Sequence, residues 1–217
     1  MKIFAVVPVK RFENAKTRMS TIFSLEDRIL LCSLMLDDSL AVLKTVPELQ
    51  QIIVVSNDRQ AQEIAARHGV TFLQEEKQDG VNSAVMLADD YSVGQAADAT
   101  LVIPQDLPLL NALDIKLMCS LPEGDKKCVV ICPSQRYDGT NALFRRPPFA
   151  IRTFFDNNSY EGHIGAARAG AIPIRLYFSK NLMFDIDTPE DARQLVREAR
   201  NGNSKVLKFL RSRLRQV

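Results

Sequence analysis

The tightest constraint on this chain is the run Ile3 to Val9, which is apolar throughout, β-branched at Ile3, Val6, Val7 and Val9, and without polar alternation. Such a run reads as a strand covered on both faces, as in the parallel sheets of α/β folds. It leads directly into a loop carrying Lys10, Arg11, Lys16 and Arg18. Ligands of open α/β sheets gather outside the carboxyl ends of the strands, so cations at that point suit a polyanion such as a nucleoside triphosphate. A solvated surface loop is the competing reading. Neither GxxxxGK[ST] nor GxGxxG occurs here, which sets aside the two common phosphate-cradling fingerprints.

The following segments repeat the alternation. Ser24 is placed to cap a long helical pattern from Leu25 to Leu43, and Gln51 to Ser56 reads as a second buried strand. Asn57-Asp58 begins a helix through Ala66, and Val70 to Leu73 gives a third strand. Strand, helix, strand, helix, strand implies right-handed parallel crossovers. A helix from about Asp79 towards Tyr91 is followed by a strand over Thr100 to Pro104, a helix over Asn111 to Ser120 and a strand over Lys127 to Cys132. The turn at Arg136 to Thr140 leads into a further strand. Arg145-Arg146-Pro147-Pro148 reads as charge followed by a rigid stop, Ile151 to Phe155 as a short helix, and Ser159 as the cap of a helix through Ala169. Ile172 to Tyr177 is a strand, Asn181 to Phe184 is extended, and Asn203 to Val217 forms a basic terminal helix. No repeat or linker is visible, so one domain over residues 1–217 is expected.

Composition narrows the function. The 28 basic and 26 acidic residues leave a net charge of +2, too balanced for nucleic acid to be a general partner. No stretch of about 18 apolar residues occurs, so a membrane span is not expected and a cytoplasmic protein is. The four cysteines lack CxxC spacing and read as buried free thiols.

Three acidic positions stand out. Asp106 follows the strand ending at Pro104, where a carboxylate suits Mg²⁺ shared with substrate phosphates; capping the next helix is the alternative role. Asp185 and Asp187 are two apart in an extended stretch and so direct both carboxylates to one side, where a cation would relieve their repulsion. Thr188-Pro189-Glu190-Asp191 is a strong helix start. Gly80 and Asn82 either face a purine edge or form an Asp-Gly turn before a helix. Thr140 beside Gly139 either binds phosphate or bends the chain. His163 is either a hydrogen-bonded structural residue or a donor to an acceptor carboxylate.

Taken together, Pro8-Val9-Lys10, Ala15-Lys16-Thr17-Arg18, Asp79-Gly80-Val81-Asn82, Asp106-Leu107-Pro108, Gly139-Thr140, Ser159-Tyr160 with His163, and Asp185-Ile186-Asp187-Thr188-Pro189-Glu190-Asp191 resemble the CofC family of 2-phospho-L-lactate guanylyltransferases of coenzyme F420 biosynthesis. The resemblance runs to about Val196, with Gln105 and Asp156 standing where members often have smaller residues. It implies a three-layer nucleotidyltransferase fold of the GT-A-like, nucleotide-diphospho-sugar transferase kind, with a mostly parallel mixed sheet. It also implies reaction of GTP with 2-phospho-L-lactate to give lactyl-2-diphospho-5′-guanosine and pyrophosphate, in a homodimer that binds neither nucleic acid nor membrane. On that resemblance Asp106, Asp185 and Asp187 hold Mg²⁺, and Asp106 acts in catalysis with Lys10, Lys16 and Arg18. Pro8, Lys10, Lys16, Arg18, Gly80 and Asn82 contact the nucleotide, and Thr140, Ser159 and His163 the acceptor. The rivals are guanylyl transfer to phosphoenolpyruvate or another small phosphate, and a non-catalytic nucleotide sensor. A sugar-nucleotide pyrophosphorylase is disfavoured because Pro8-Val9-Lys10 replaces the LxxGxGxR loop.

Overall fold

A computed structural model describes residues 1–77, 79–156, 158–199 and 204–215. The first strand, β1 (Ile3–Pro8), is buried at every residue. Side chains alternate across it, and the two sets enter different cores. Ile3, Ala5 and Val7 join Leu31, Met35, Leu36 and Leu40 of helix α1 (Leu25–Leu43), whereas Phe4 and Val6 meet Ala84, Val85 and Ala88 of α3 (Val81–Gly94). Each such side chain withdrawn from water is worth about 1.5–3 kcal/mol before entropy is counted, so covering both faces fixes the strand at the centre.

The remaining strands are β2 (Leu49–Ser56), β3 (Thr71–Gln74), β4 (Ala99–Val102), β5 (Cys128–Pro133), β6 (Thr140–Arg146) and β7 (Ile174–Leu176). They form one seven-stranded sheet in the order β3-β2-β1-β4-β6-β5-β7. β1 runs parallel to both β2 and β4, while β6 is antiparallel to β4 and β5. The mixed, mostly parallel sheet expected from sequence is therefore observed. The other helices are α2 (Arg59–His68), α4 (Ala112–Ser120), α5 (Ser159–Ala169), α6 (Pro189–Glu198) and α7 (Lys205–Leu214).

Local chemistry explains most helix starts. Ser24 accepts from the Asp27 amide, Asp58 from Gln60 and Ala61, and Asn111 from Asp114. Thr188 and Asp191 form a reciprocal capping box with Pro189 at the first helical position. Because Asn111 caps α4, Asp106 is free of that duty.

Four expectations need correction. Ile151 to Phe155 is not helical: the Phe154 and Phe155 amides donate to the side chains of His163 and Asn82 rather than to backbone carbonyls. Asn181 to Phe184 is a turn, not extended, because the Ser179 hydroxyl takes the amides of Asn181 and Leu182. Ser159 does not cap α5; Asn158 precedes the helix in the left-handed region, and Ser159 is the first helical residue. Arg145 does not belong to the charged stop before Pro147 but to β6, where it is 1 % exposed. The terminal helix is described only over Lys205–Leu214, and the expected flanks at Asn203, Gln216 and Val217 lie outside the described residues. All four cysteines are free and buried, and among the described residues no helix is long and apolar enough to cross a membrane.

Candidate active site

The carboxyl ends of β1 and β4 open into a cavity of about 420 Å³. Pro8, Lys10, Lys16, Arg18, Asp106, Thr140, Ser159, Asp185 and Asp187 line it, so nine of the residues predicted from sequence meet there. Lys16 is the hub. Its backbone is left-handed (φ 52°), which turns the side chain back inside, where it is only 6 % exposed. The ammonium donates to Oδ2 of Asp106 at 2.8 Å and to Oδ1 of Asp187 at 2.7 Å. Residues separated by 90 and 171 positions thus share one atom. A backbone hydrogen bond from Ile186 to the Asp106 carbonyl locks the two acidic segments together.

The electrostatics of the cluster are uneven. Burial opposes the charge on Lys16, but Asp106 and Asp187 outweigh it and its pKa is raised. Burial also disfavours the Asp187 carboxylate, yet Lys16 more than compensates and holds it below the usual range. Asp185 is helped less: burial, and then the charge of Asp106, push it up to about 6, against the Asn141 amide, which donates to its Oδ1 at 3.3 Å, and a smaller pull from Lys16. One ammonium faces three carboxylates, and Asp185 carries the uncompensated part. Hard oxygen donors with surplus negative charge fit a divalent cation that keeps open positions for phosphate oxygens. Among the described residues no group of three or more His, Cys, Asp or Glu side chains is placed to hold a metal ion by itself, and here the Lys16 ammonium lies between Asp106 and Asp187.

The rim supplies cations. Arg18 is mostly exposed, 4.0 Å from Asp187, and Lys10 also lines the cavity. Arg136, to which the sequence reading gave no role, lines it too and donates to Asp191 at 2.7 Å. Its only sequence signal is its place in the turn before Gly139-Thr140.

Three of the predicted site residues, Gly80, Asn82 and His163, are arranged differently from expectation and do not line the cavity. Asn82 does not line this cavity; its Oδ1 accepts from the Phe155 amide and its Nδ2 donates to Asp156 Oδ2, both at 2.8 Å. It ties the start of α3 to the loop before α5, and Asp156 is thereby engaged. Gly80 has φ +89° with open space where a Cβ would stand, so its freedom serves the turn into α3. The amides of Gly139 and Thr140 are not available to a phosphate, since they donate to Ser134 Oγ at 3.0 Å and Ser159 Oγ at 2.8 Å. His163 is fully buried behind Thr140 rather than in the cavity wall.

The sequence profile of guanylyl transferases described as CofC-like matches residues 1–215. The chain belongs to this CofC-like guanylyl transferase family. A phosphoenolpyruvate guanylyltransferase of Sphaerobacter thermophilus is 35 % identical over 94 % of this chain and 97 % of its own length. A 2-phospho-L-lactate guanylyltransferase of Methanothermobacter thermautotrophicus is 32 % identical over 90 % of this chain and 85 % of its own. Solved structures share the fold at low identity. One from Desulfovibrio desulfuricans G20, assigned as a nucleotide-diphospho-sugar transferase, superposes with a TM-score of 0.79 at 16 % identity, covering 100 % of this chain and 98 % of that one. A Mycobacterium tuberculosis H37Rv protein in complex with manganese gives 0.59 at 17 % identity, over 92 % of this chain and 100 % of that one. This CofC-like protein is therefore a nucleotidyltransferase with a nucleotide-diphospho-sugar transferase-like fold, and its relatives carry names for two different acceptors.

Proposed function

We propose that this CofC-like protein transfers the guanylyl group of GTP to the phosphate of a small phosphorylated carboxylic acid, 2-phospho-L-lactate or phosphoenolpyruvate. The observation that carries the reading is the Lys16 ammonium held between Asp106 and Asp187, with the uncompensated Asp185 beside them at the strand ends. An oxygen of the acceptor phosphate bonds to the α-phosphorus, the bond from that phosphorus to the β-bridging oxygen breaks, and pyrophosphate leaves with the electron pair. Little covalent chemistry falls to the protein, which has to bring anions together and orient them.

Lys10, Lys16 and Arg18 would meet the triphosphate and the charge that builds on the departing pyrophosphate. Gly80, with Asn82 behind it, would border the guanine. Thr140 and Ser159 would hold the acceptor through their hydroxyls. Asp106, Asp185 and Asp187 would hold a divalent cation, Mg²⁺ in this reading, and that ion when bound supplies charge neutralisation between the donor and acceptor phosphates.

Relatives named for the two acceptors stand at similar identity, so the acceptor is a matter for assay. Purified protein is incubated with GTP, a divalent cation and each acceptor in turn while pyrophosphate release is followed. Release that depends on one of the two acids, with the matching guanylyl diphosphate product by mass, supports the proposal. Binding of GTP with no product from any acceptor would instead favour a nucleotide sensor. Sedimentation of the same preparation tests the expected homodimer.

A further inference from the structure

Behind Thr140 runs a chain of hydrogen bonds whose direction can be fixed atom by atom. The Phe154 backbone N–H lies 2.9 Å from Nε2 of His163. An amide nitrogen can only donate, so Nε2 is the bare ring nitrogen. His163 is fully buried, and burial followed by the nearby Arg145 charge pushes its pKa down to about 3. The ring is therefore neutral and carries its single hydrogen on Nδ1. That nitrogen is 2.9 Å from Oγ1 of Thr140, which must then accept. The Thr140 hydroxyl hydrogen is turned away from the imidazole, and among the described residues it has no acceptor. Ser159 is in the same situation: its Oγ accepts the Thr140 N–H at 2.8 Å, and its own hydrogen has no described acceptor. Both residues line the cavity.

We propose that His163 is a positioning residue: donating from Nδ1, it fixes the Thr140 hydroxyl as a hydrogen-bond donor into the cavity, so that this wall takes an oxyanion of the acceptor, a carboxylate or phosphate oxygen. With the opposite tautomer the hydroxyl would donate to the ring and turn lone pairs towards the ligand. In a cavity lined by five aspartates as well as by Lys10, Lys16, Arg18 and Arg136, that polarity sets whether this wall attracts or repels a small anion. The proposal rests on reading this wall as the acceptor site.

Two measurements test it, and they fail separately. Two-bond ¹H–¹⁵N spectra of the ¹⁵N-histidine protein, assigned by the loss of signals in His163→Asn, read the tautomer directly. Nδ1 in the protonated range and Nε2 in the bare range, unchanged from about pH 5 to 8, is the expected result. A proton on Nε2, or a ring that titrates in that interval, overturns the proposal alone. The second measurement is steady-state kinetics with phosphoenolpyruvate and 2-phospho-L-lactate. A hydrogen bond to a charged group is worth about ten- to a hundredfold, so Thr140→Val should raise the acceptor KM by that factor and leave the GTP KM in place. Thr140→Ser, which keeps a hydroxyl, should recover most of it. His163→Phe should raise the acceptor KM in the parent but add nothing to Thr140→Val, and His163→Asn, whose amide can still donate, should recover part. Additive effects of the two residues overturn the positioning role. An unchanged acceptor KM in Thr140→Val overturns the acceptor-site reading, and the proposal with it.

Discussion

Two buried charge clusters in this CofC-like protein are built on opposite terms. In the first, Arg145 of β6 faces Asp89 of α3 through paired hydrogen bonds of 2.6 and 2.7 Å, with both side chains at most 2 % exposed and Thr100 completing the contact at 3.2 Å. One cation meets one anion through two parallel hydrogen bonds, so the two formal charges cancel, although the Arg145 Nε has no partner among the described residues. In the second, the Lys16 ammonium is shared by Asp106 and Asp187, while Asp185 has the Asn141 amide but no ion-pair partner among the described residues. A closed pair ties a helix to the sheet. An unbalanced cluster at a cavity stores a charge demand that a bound cation and the phosphates it carries can meet. Both clusters border a cavity, so neither burial of charge nor an adjacent opening says much about function by itself; the local sum of charge says more.

The difference can be broken most forcefully at the closed pair. Arg145→Met leaves Asp89 buried and alone, and should cost about 3–5 kcal/mol in urea unfolding, while Asp89→Leu combined with Arg145→Met restores much of the loss. An isolated arginine variant as stable as the parent would mean that the pair is not dry. At the open cluster the effect should fall on rate. Asp106→Asn is expected to lower turnover by about 10²–10³ while the unfolding midpoint stays near that of the parent. A comparable loss of stability would make Asp106 a structural residue like Asp89. A subtler contrast concerns ligands: a divalent cation added together with GTP should raise the thermal midpoint of the parent, and Asp185→Asn should remove most of that rise. The Arg145 cluster has no such dependence to lose.

The smallest effect is expected at a third cluster, where α7 docks on α1. Asp37 is buried, which opposes its charge, but Lys205 and His68 beside it outweigh burial and hold its carboxyl down to about 2, with Arg67 3.5 Å away. A carboxyl more acidic in the folded chain than in the unfolded one stabilises above the ordinary range near pH 4, and loses that stabilisation as pH falls towards 2. Lys205 is more than half exposed, so screening reduces the contribution to the order of 1 kcal/mol. Unfolding midpoints of the parent and Asp37→Asn should therefore converge as the solution is acidified through that interval. Parallel curves would show that the contact with α7 is not ionic.

Much of the frame was readable along the chain. β-Branched apolar runs marked the central strands, because a strand covered on both faces admits few polar residues. Ser24, Asp58 and Thr188 announced their helices, since capping is chemistry between near neighbours. The i, i+2 spacing of Asp185 and Asp187 told which way both carboxylates point. Arg145 was placed in the charged stop rather than in β6 because its partner lies 56 residues away in sequence and Arg146-Pro147-Pro148 follows directly. The Ile151 to Phe155 helix failed for a related reason: its amides are claimed by side chains from α3 and α5.

The sequence by itself determined the parallel frame, the cation-bearing loop after β1, the acidic residue after β4 and the Asp185/Asp187 pair before α6, because these depend on patterns a few residues long. Only the tertiary structure decided that Lys16 turns inward to join Asp106 to Asp187, that Asn82 braces a loop, and that His163 dictates the direction of the Thr140 hydroxyl. Those outcomes depend on which atoms meet across 90 or more residues, or across two elements packed side by side. No local periodicity encodes the distance between groups that the chain brings together only when its two cores close.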